Sequence, residues 1–254
     1  MDSLLIAAAV FACSIAGAAG GGLLRRFVPE SHLNGESKDV VKQGFGLIAT
    51  MVALVIGLLV ASAKSQFDSE SDGFKQLSTN LILLDRSLAH YGPETKAVRE
   101  SLRQAVESIV EKHWPNDKAR PVLAVDAGEI TAHGEALIGA IRDLAPKGEF
   151  QSTIKAQAID ISRDLAKTRW TLSQPLGPLL PTPFLFVLAF WLAILFASFG
   201  LLTPRNGTVV VTLALCALSL SGAIFLIADL GQPATGLIQI PSTSLRYALS
   251  QLGK

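Results

Sequence analysis

The stretch QGFGLIATMVALVIGLLVASAKSQFDSESDGFKQLSTNLILLDRSLAHY, residues 43–91, decides the fold. Its first part, Gln43–Ala63, carries no charge and has the length of roughly 20 residues that an apolar helix needs to cross a bilayer. Beyond Lys64, large apolar residues recur every three or four positions, which indicates a helix with one packed face. The sequence contains no proline between Gln43 and Pro93. The stretch therefore predicts one continuous helix of about 48 residues, roughly 70 Å long, that leaves the membrane and continues into water.

The remaining sequence contains three more charge-free runs, Ser3–Leu24, Trp170–Pro204 and Asn206–Ala228. Charged residues make up 17% of the chain, against about 25% in an ordinary soluble domain. This composition excludes a purely soluble enzyme and a secreted disulfide scaffold. The net charge of +1 provides no basic surface, so we expect no nucleic-acid partner.

The charged residues are concentrated in one segment. Residues 65–170 hold 16 of the 21 acidic and 14 of the 22 basic groups. Three amphipathic helices are predicted there, over about 93–113, 126–144 and 150–170, and Val98, Leu102, Ala105 and Ile109 are expected to point inward from the first of them. We therefore predict an all-α membrane protein with four transmembrane helices. A soluble helical bundle is inserted between spans two and three, and the second span continues into it.

The predicted organisation has five parts. They are 1–64, the first transmembrane helix pair with a polar connector (25–42); 65–170, the soluble bundle; 171–183, a Pro-rich linker; 184–231, the second transmembrane pair; and 232–254, a tail with a short amphipathic helix. The first run starts without Lys or Arg and exceeds a typical signal-peptide core, so we interpret it as a retained helix. The alternative is a cleavable signal peptide, because small residues lie near 18–22, where a cleavage site would be expected.

Two stripes on the second span have candidate roles. Small residues recur at every fourth position, which permits close helix packing; they are Ala49, Ala53, Gly57 and Ala61. Thr50, Leu54 and Leu58 form a neighbouring stripe. In a ring of subunits, this second stripe would form an apolar pore constriction able to gate by dewetting, with Thr50 as a polar step.

Beyond the membrane, the same helix carries a heptad-like seam suited to self-association. Its members are Phe67, Phe74, Leu77, Leu81, Leu84 and Leu88. Asp229, at the end of the fourth span, is a further candidate: it is either an interfacial cap or ion-pair partner, or part of an ion or gating site.

No residue pattern points to catalysis, a metal or a cofactor. Both cysteines, Cys13 and Cys216, lie in membrane runs, and the four histidines lack metal-ligand spacing. The sequence Gly44–Ala49 imitates a dinucleotide fingerprint, but it opens a membrane helix and follows no strand. We therefore expect a protein that is not an enzyme and carries no cofactor.

Four segments of the chain resemble the bacterial bestrophin-like domain family, whose members are four-pass membrane proteins. The segments are LNGESKDVVKQGFGLIATM (33–51), LLDRSLAHYGPE (83–94), FASFGLLTPRN (196–206) and IFLIADLGQPATGLIQI (224–240). The resemblance implies a multi-pass protein of the bacterial inner membrane whose insert and termini are cytoplasmic. A count of short-loop Lys and Arg residues leans slightly the other way.

Likeness to bestrophin anion channels themselves implies a homo-oligomer, a pentamer, that contacts membrane lipid and conducts small ions such as chloride. Leucines at 54 and 58 stand where phenylalanines flank a similar glycine in those channels, so a neck at this position would be aliphatic. Gly231 replaces one member of the family's usual acidic pair, beside Asp229. The predicted function is an ion channel, and the alternative is a non-conducting helical scaffold or sensor that assembles through the 67–91 seam.

Overall fold

The computed structural model describes residues 3–28, 35–114, 127–173, 182–203, 206–232 and 236–254. They form eight α-helices, a short 3-10 turn at Pro93–Thr95 and no strand. The helices are α1 (Ser3–Leu24), α2 (Gly35–Tyr91), α3 (Lys96–His113), α4 (Ala127–Arg142), α5 (Glu149–Ser173), α6 (Thr182–Leu202), α7 (Gly207–Leu230) and α8 (Thr243–Gln251). The all-α prediction is confirmed, and α1, α2, α6 and α7 are each long and apolar enough to cross a membrane.

Helix α2 is longer than predicted. It runs without interruption for 57 residues, and its start at Gly35 replaces the predicted start near Gln43. The polar connector predicted over 25–42 therefore ends earlier. Residues 36–42 contain neither Gly nor Pro, and Lys42 lies 3.5 Å from Asp39 one turn before it. Such a pair supports a water-exposed helical turn, so polarity alone does not end the helix.

The chain divides into two compact units. The span unit comprises residues 1–66 and 177–231, and the bundle unit comprises residues 67–176 and 232–254. Helix α2 contributes its first part to the span unit and its last part to the bundle unit.

Small residues bring α1 and α6 into close contact within the span unit. A methyl group on Gly21 would overlap the backbone carbonyl of Ala197, and one on Gly200 would overlap that of Ala18. A methyl group on Gly17 would lie 2.6 Å from the carbonyl oxygen of Ala193. From the Gly17–Ala193 contact to the Gly21–Ala197 contact, both residue numbers rise by four, so the two helices run in the same direction. This packing lets the backbones approach at the distance that only glycine permits.

The bundle unit has its own hydrophobic core, to which α2, α3, α4, α5 and α8 contribute. The fully or almost fully buried apolar residues at its centre are Leu84, Leu88, Leu102, Val106, Val110, Ile141, Ala158 and Leu245. Trp114 belongs to this core: its indole N–H donates to the carbonyl oxygen of Ile240 at 3.0 Å, and its ring and that of Phe74 form a T-shaped pair. The predicted tail helix is thus part of this core.

The inward face of α3 is turned slightly from the predicted one. Val98 and Leu102 are buried as expected, whereas Val106 and Val110 are buried in place of Ala105 and Ile109. Ala105 and Ile109 are half-buried. On a helix with 3.6 residues per turn, residues four positions apart are displaced around the axis by about 40°. Val106 and Val110 therefore lie on a stripe beside that of Ala105 and Ile109, and both stripes fit the apolar repeat in the sequence.

Candidate functional site

One face of α2 in the span unit is exposed. Leu54 and Leu58 are 65% and 63% exposed, and Leu47 and Met51 are exposed on the same side. Thr50 is exposed as well; its hydroxyl donates to the carbonyl oxygen of Leu47 at 2.8 Å. The predicted constriction residues therefore share one accessible, uncharged surface, which we call the α2 face (Leu47, Thr50, Met51, Leu54 and Leu58).

The opposite side of α2 is packed. Val52 and Ile56 are buried, and Ala63 is fully buried. The sequence contains no charged residue between Lys42 and Lys64. The α2 face can accordingly contact lipid, a neighbouring subunit or a narrow dewetted path, all of which are compatible with apolar side chains.

The small-residue stripe on α2 has a different environment from the one on α1. Ala49 is half-buried, while Ala53, Gly57 and Ala61 are exposed. A methyl group on Gly57 would meet no neighbouring atom within 4 Å. That this stripe packs against helices of other subunits remains a prediction. The close packing observed within the chain instead uses the Gly17-x-x-x-Gly21 spacing of α1, a signal of the same kind that the sequence interpretation missed.

Asp229 is completely buried near the end of α7. The hydroxyl of Ser3, at the start of α1, donates to its Oδ1 atom at 3.1 Å. A buried carboxylate that connects two spans is costly unless it is hydrogen-bonded. The role of Asp229 in ion binding or gating stays a prediction. In the part of the chain that the structure describes, no three His, Cys, Asp or Glu side chains come together as a metal site.

The heptad seam lies largely in the core of its own chain. Leu81, Leu84 and Leu88 are buried in the bundle core, and Phe74 and Leu77 pack against it. Phe67 is half-buried. Intrachain packing thus accounts for the apolar repeat, and self-association through the seam stays a prediction.

An ion pair between Asp85 and Arg99 was not anticipated from the sequence. The Asp85 side chain is 1% exposed, and the Arg99 guanidinium donates to both of its oxygens at 2.8 Å. The backbone N–H of Gly253 also donates to Asp85, and Arg99 donates to the carbonyl oxygen of Lys254 at 2.9 Å. The hydrogen bond to Asp85 raises the pKa of Arg99 above its ordinary value. This cluster ties α2, α3 and the end of the chain together.

The turn that follows α2 explains part of the segment 83–94. Gly92 has a φ of 138°, a backbone conformation that side chains other than glycine rarely adopt. The Thr95 hydroxyl lies within hydrogen-bonding distance of the carbonyl oxygens of Leu88 and Gly92. The amide of Gln151 donates to the carbonyl oxygen of Tyr91 at 2.9 Å. These contacts fix where α2 ends and α3 begins.

No curated protein and no solved structure matches the chain. The model of one family, described as Bestrophin-like domain, matches residues 12–245. This match covers nearly the whole chain: it includes α2, α6 and α7 completely and α1 from residue 12 onwards. The chain therefore belongs to the Bestrophin-like domain family.

Proposed function

We propose that the protein is one subunit of a homo-oligomeric ion channel in which the α2 helices surround an axial path. Membership in the Bestrophin-like family, together with four apolar helices, describes a multi-pass, channel-like membrane protein. Conduction, the permeant ion and the number of subunits go beyond that description and form the proposal.

The observation that carries the proposal is the exposure of Leu54 and Leu58 on the α2 face. These side chains have the packed side of α2 behind them and a hydroxyl, Thr50, one turn before them. In a ring of copies, Leu54 and Leu58 would form two layers of leucine around a constriction. Water would be excluded from this constriction until the pore widens. The charge-free run 43–63 carries no carboxylate that would repel an anion.

The finer features of the proposal follow the resemblance to bestrophin channels. We propose five subunits, small anions such as chloride as the permeant ions, and the bacterial inner membrane as the location. We also propose that the bundle unit lies on the cytoplasmic side. The structure describes one chain by itself, so the support for these features is the family relation and the charge-free α2 face.

Halide flux into proteoliposomes tests the proposal directly. The double substitution Leu54→Ala plus Leu58→Ala should raise the flux several-fold above that of the wild type, because removing the bulky side chains widens the constriction and lets water enter. The reconstituted wild type should conduct more than empty vesicles do.

A matched control is available on α7. Leu215 and Leu218 are 59% and 60% exposed, close to the values for Leu54 and Leu58, and we expect them to face lipid. Leu215→Ala plus Leu218→Ala should therefore leave the flux unchanged. An unchanged flux in correctly assembled Leu54→Ala plus Leu58→Ala protein would remove these leucines from the path.

The alternative function, a non-conducting scaffold, depends on the seam. Because Leu81, Leu84 and Leu88 lie inside their own chain, the seam offers less surface to a partner than the sequence suggested. Absence of flux in both the wild type and the double variant would favour the scaffold.

A further inference from the structure

The bundle unit contains a cavity of about 850 Å³. It lies among α2, α3, α4, α5 and α8, and its volume falls in the range of roughly 300–1,000 Å³ typical of small-molecule sites. The floor of the cavity is the bundle core itself: Leu81, Leu102, Val106 and Leu245 are buried there. The half-buried Ala105 belongs to the wall. Such an apolar lining favours the binding of a hydrocarbon chain.

The charged groups of the cavity are on its rim. Arg169 is half-buried, while Lys112 and Glu135 are exposed. Two cations against one anion leave a positive excess. The guanidinium of Arg169 lies against α4, because an Nη atom is 2.7 Å from where a methyl group on Gly134 would be. A glycine at this position therefore makes room for the cation.

The environment of Arg169 already includes one anionic group, Glu135. Burial lowers the pKa of Arg169, while the carboxylate of Glu135 acts in the opposite direction. A half-buried cation is destabilised by lost hydration, and a further negative group close to it would offset that loss. The hydroxyl of Ser162, also in the wall, donates to the carbonyl oxygen of Ala158. Its hydrogen bond is therefore satisfied within the protein, and it does not require a polar group of a ligand.

We propose that this cavity binds a single-chain anionic amphiphile, a long-chain fatty acid, with its acyl chain on the buried leucines and its carboxylate at Arg169. The apolar floor matches the chain and the cationic rim matches the head group. The volume of the cavity is sufficient for one acyl chain. The site lies wholly within the bundle unit, so the proposal does not require that the protein conducts ions.

Photolabelling of the full-length protein in a neutral detergent tests the proposal. The probe is palmitate that carries a diazirine at the end of its chain, and labelled peptides are mapped by mass spectrometry. We expect saturable labelling of peptides from α3 and α5 that excess unlabelled palmitate suppresses. Non-saturable labelling of the four spans would report partitioning alone. Methyl palmitate, which lacks the charge, should compete about tenfold less well, since a charge-assisted contact is lost.

Two pairs of variants sharpen the test. Ala105→Phe fills the cavity and should abolish the saturable labelling, whereas Ala156→Phe, at an exposed position of α5, should not. Arg169→Gln should weaken binding about tenfold, and Arg169→Lys should restore most of it. Arg163→Gln, on an exposed side chain of the same helix, should have no effect. If Ala105→Phe fails to fold in a thermal melt, the Arg169 series decides.

The proposal would be overturned by labelling that does not saturate in α3 and α5, or by equal competition from the acid and its ester. Saturable labelling that persists in folded Ala105→Phe would also overturn it. Labelling that appears only in monomeric fractions would mean that a second copy of the chain covers the cavity, which contradicts a fatty-acid site in the assembled protein.

Discussion

Individual charged residues determine how the segments of the bundle unit are held together. Asp85 lies between buried leucines on α2, yet it is compensated by the Nε and Nη2 atoms of Arg99 and by the N–H of Gly253. A carboxylate at 1% exposure is tolerated only because these donors replace its hydration. The pair therefore fixes α3 and the last residues of the chain against α2.

We expect Asp85→Asn to destabilise the bundle unit by about 3 kcal/mol, because the substitution leaves the Arg99 cation without its buried anion. Thermal and denaturant unfolding of the detergent-solubilised protein, followed by circular dichroism, measures the change. Asp160→Asn is the matched control, since Asp160 bonds Arg163 at 2.9 Å but both side chains are about two-thirds exposed. It should have little effect. Equal losses in the two variants would contradict a special role for the buried pair.

At the scale of elements, the span unit depends on which small residues face another helix. Gly20 and Gly21 are neighbours in α1, but only Gly21 meets the backbone of α6. A side chain at Gly21 would overlap the carbonyl of Ala197, whereas one at Gly20 would meet nothing within 4 Å. Two chemically identical residues thus have opposite tolerance to substitution.

Gly21→Ala should destabilise the span unit by about 1–3 kcal/mol, the usual cost of overpacking a close contact. Gly20→Ala should be neutral or slightly stabilising, because alanine favours the helix more than glycine does. The melting temperature of each variant in detergent distinguishes the two. A similar loss for both would show that helix α1 is sensitive to any added methyl group and that the α1–α6 contact is not decisive.

At the scale of the whole molecule, the chain combines two units that share one helix. Helix α2 supplies an exposed apolar face to the span unit and buried leucines to the bundle unit. In a single copy, the α2 face has no ring of neighbours to enclose a path. The proposed channel therefore depends on assembly.

Native mass spectrometry of the detergent-extracted wild type should show five copies per complex. The physical reason is that one leucine stripe per chain forms a constriction only when several stripes meet around an axis. Variants on the exposed surface of the bundle, such as Asp160→Asn, serve as controls and should leave the number unchanged. A monomer or dimer at all protein concentrations would contradict the proposed pore.

The helix face that carries the candidate constriction could be predicted from the sequence because its signal is local. Thr50, Leu54 and Leu58 were placed on one helix face by their spacing alone, and the structure puts them on one exposed face. What that face contacts did not follow, since lipid, a subunit and a narrow pore all accept leucine. The Asp85–Arg99 pair did not follow from the sequence, because the partners of Asp85 are distant in the chain: Arg99 is 14 residues away and Gly253 is 168 residues away.

The sequence by itself determined the helices and the four spans, because the length of an apolar run and a three-to-four-residue repeat are properties of contiguous residues. Only the tertiary structure decided which surfaces meet. The Gly17-x-x-x-Gly21 spacing packs against α6 while the equally small Gly57 stands exposed, and the heptad seam packs into its own core. The physical reason is that a helix face becomes buried only when a distant segment offers a complementary surface, and no local pattern records which segment that is.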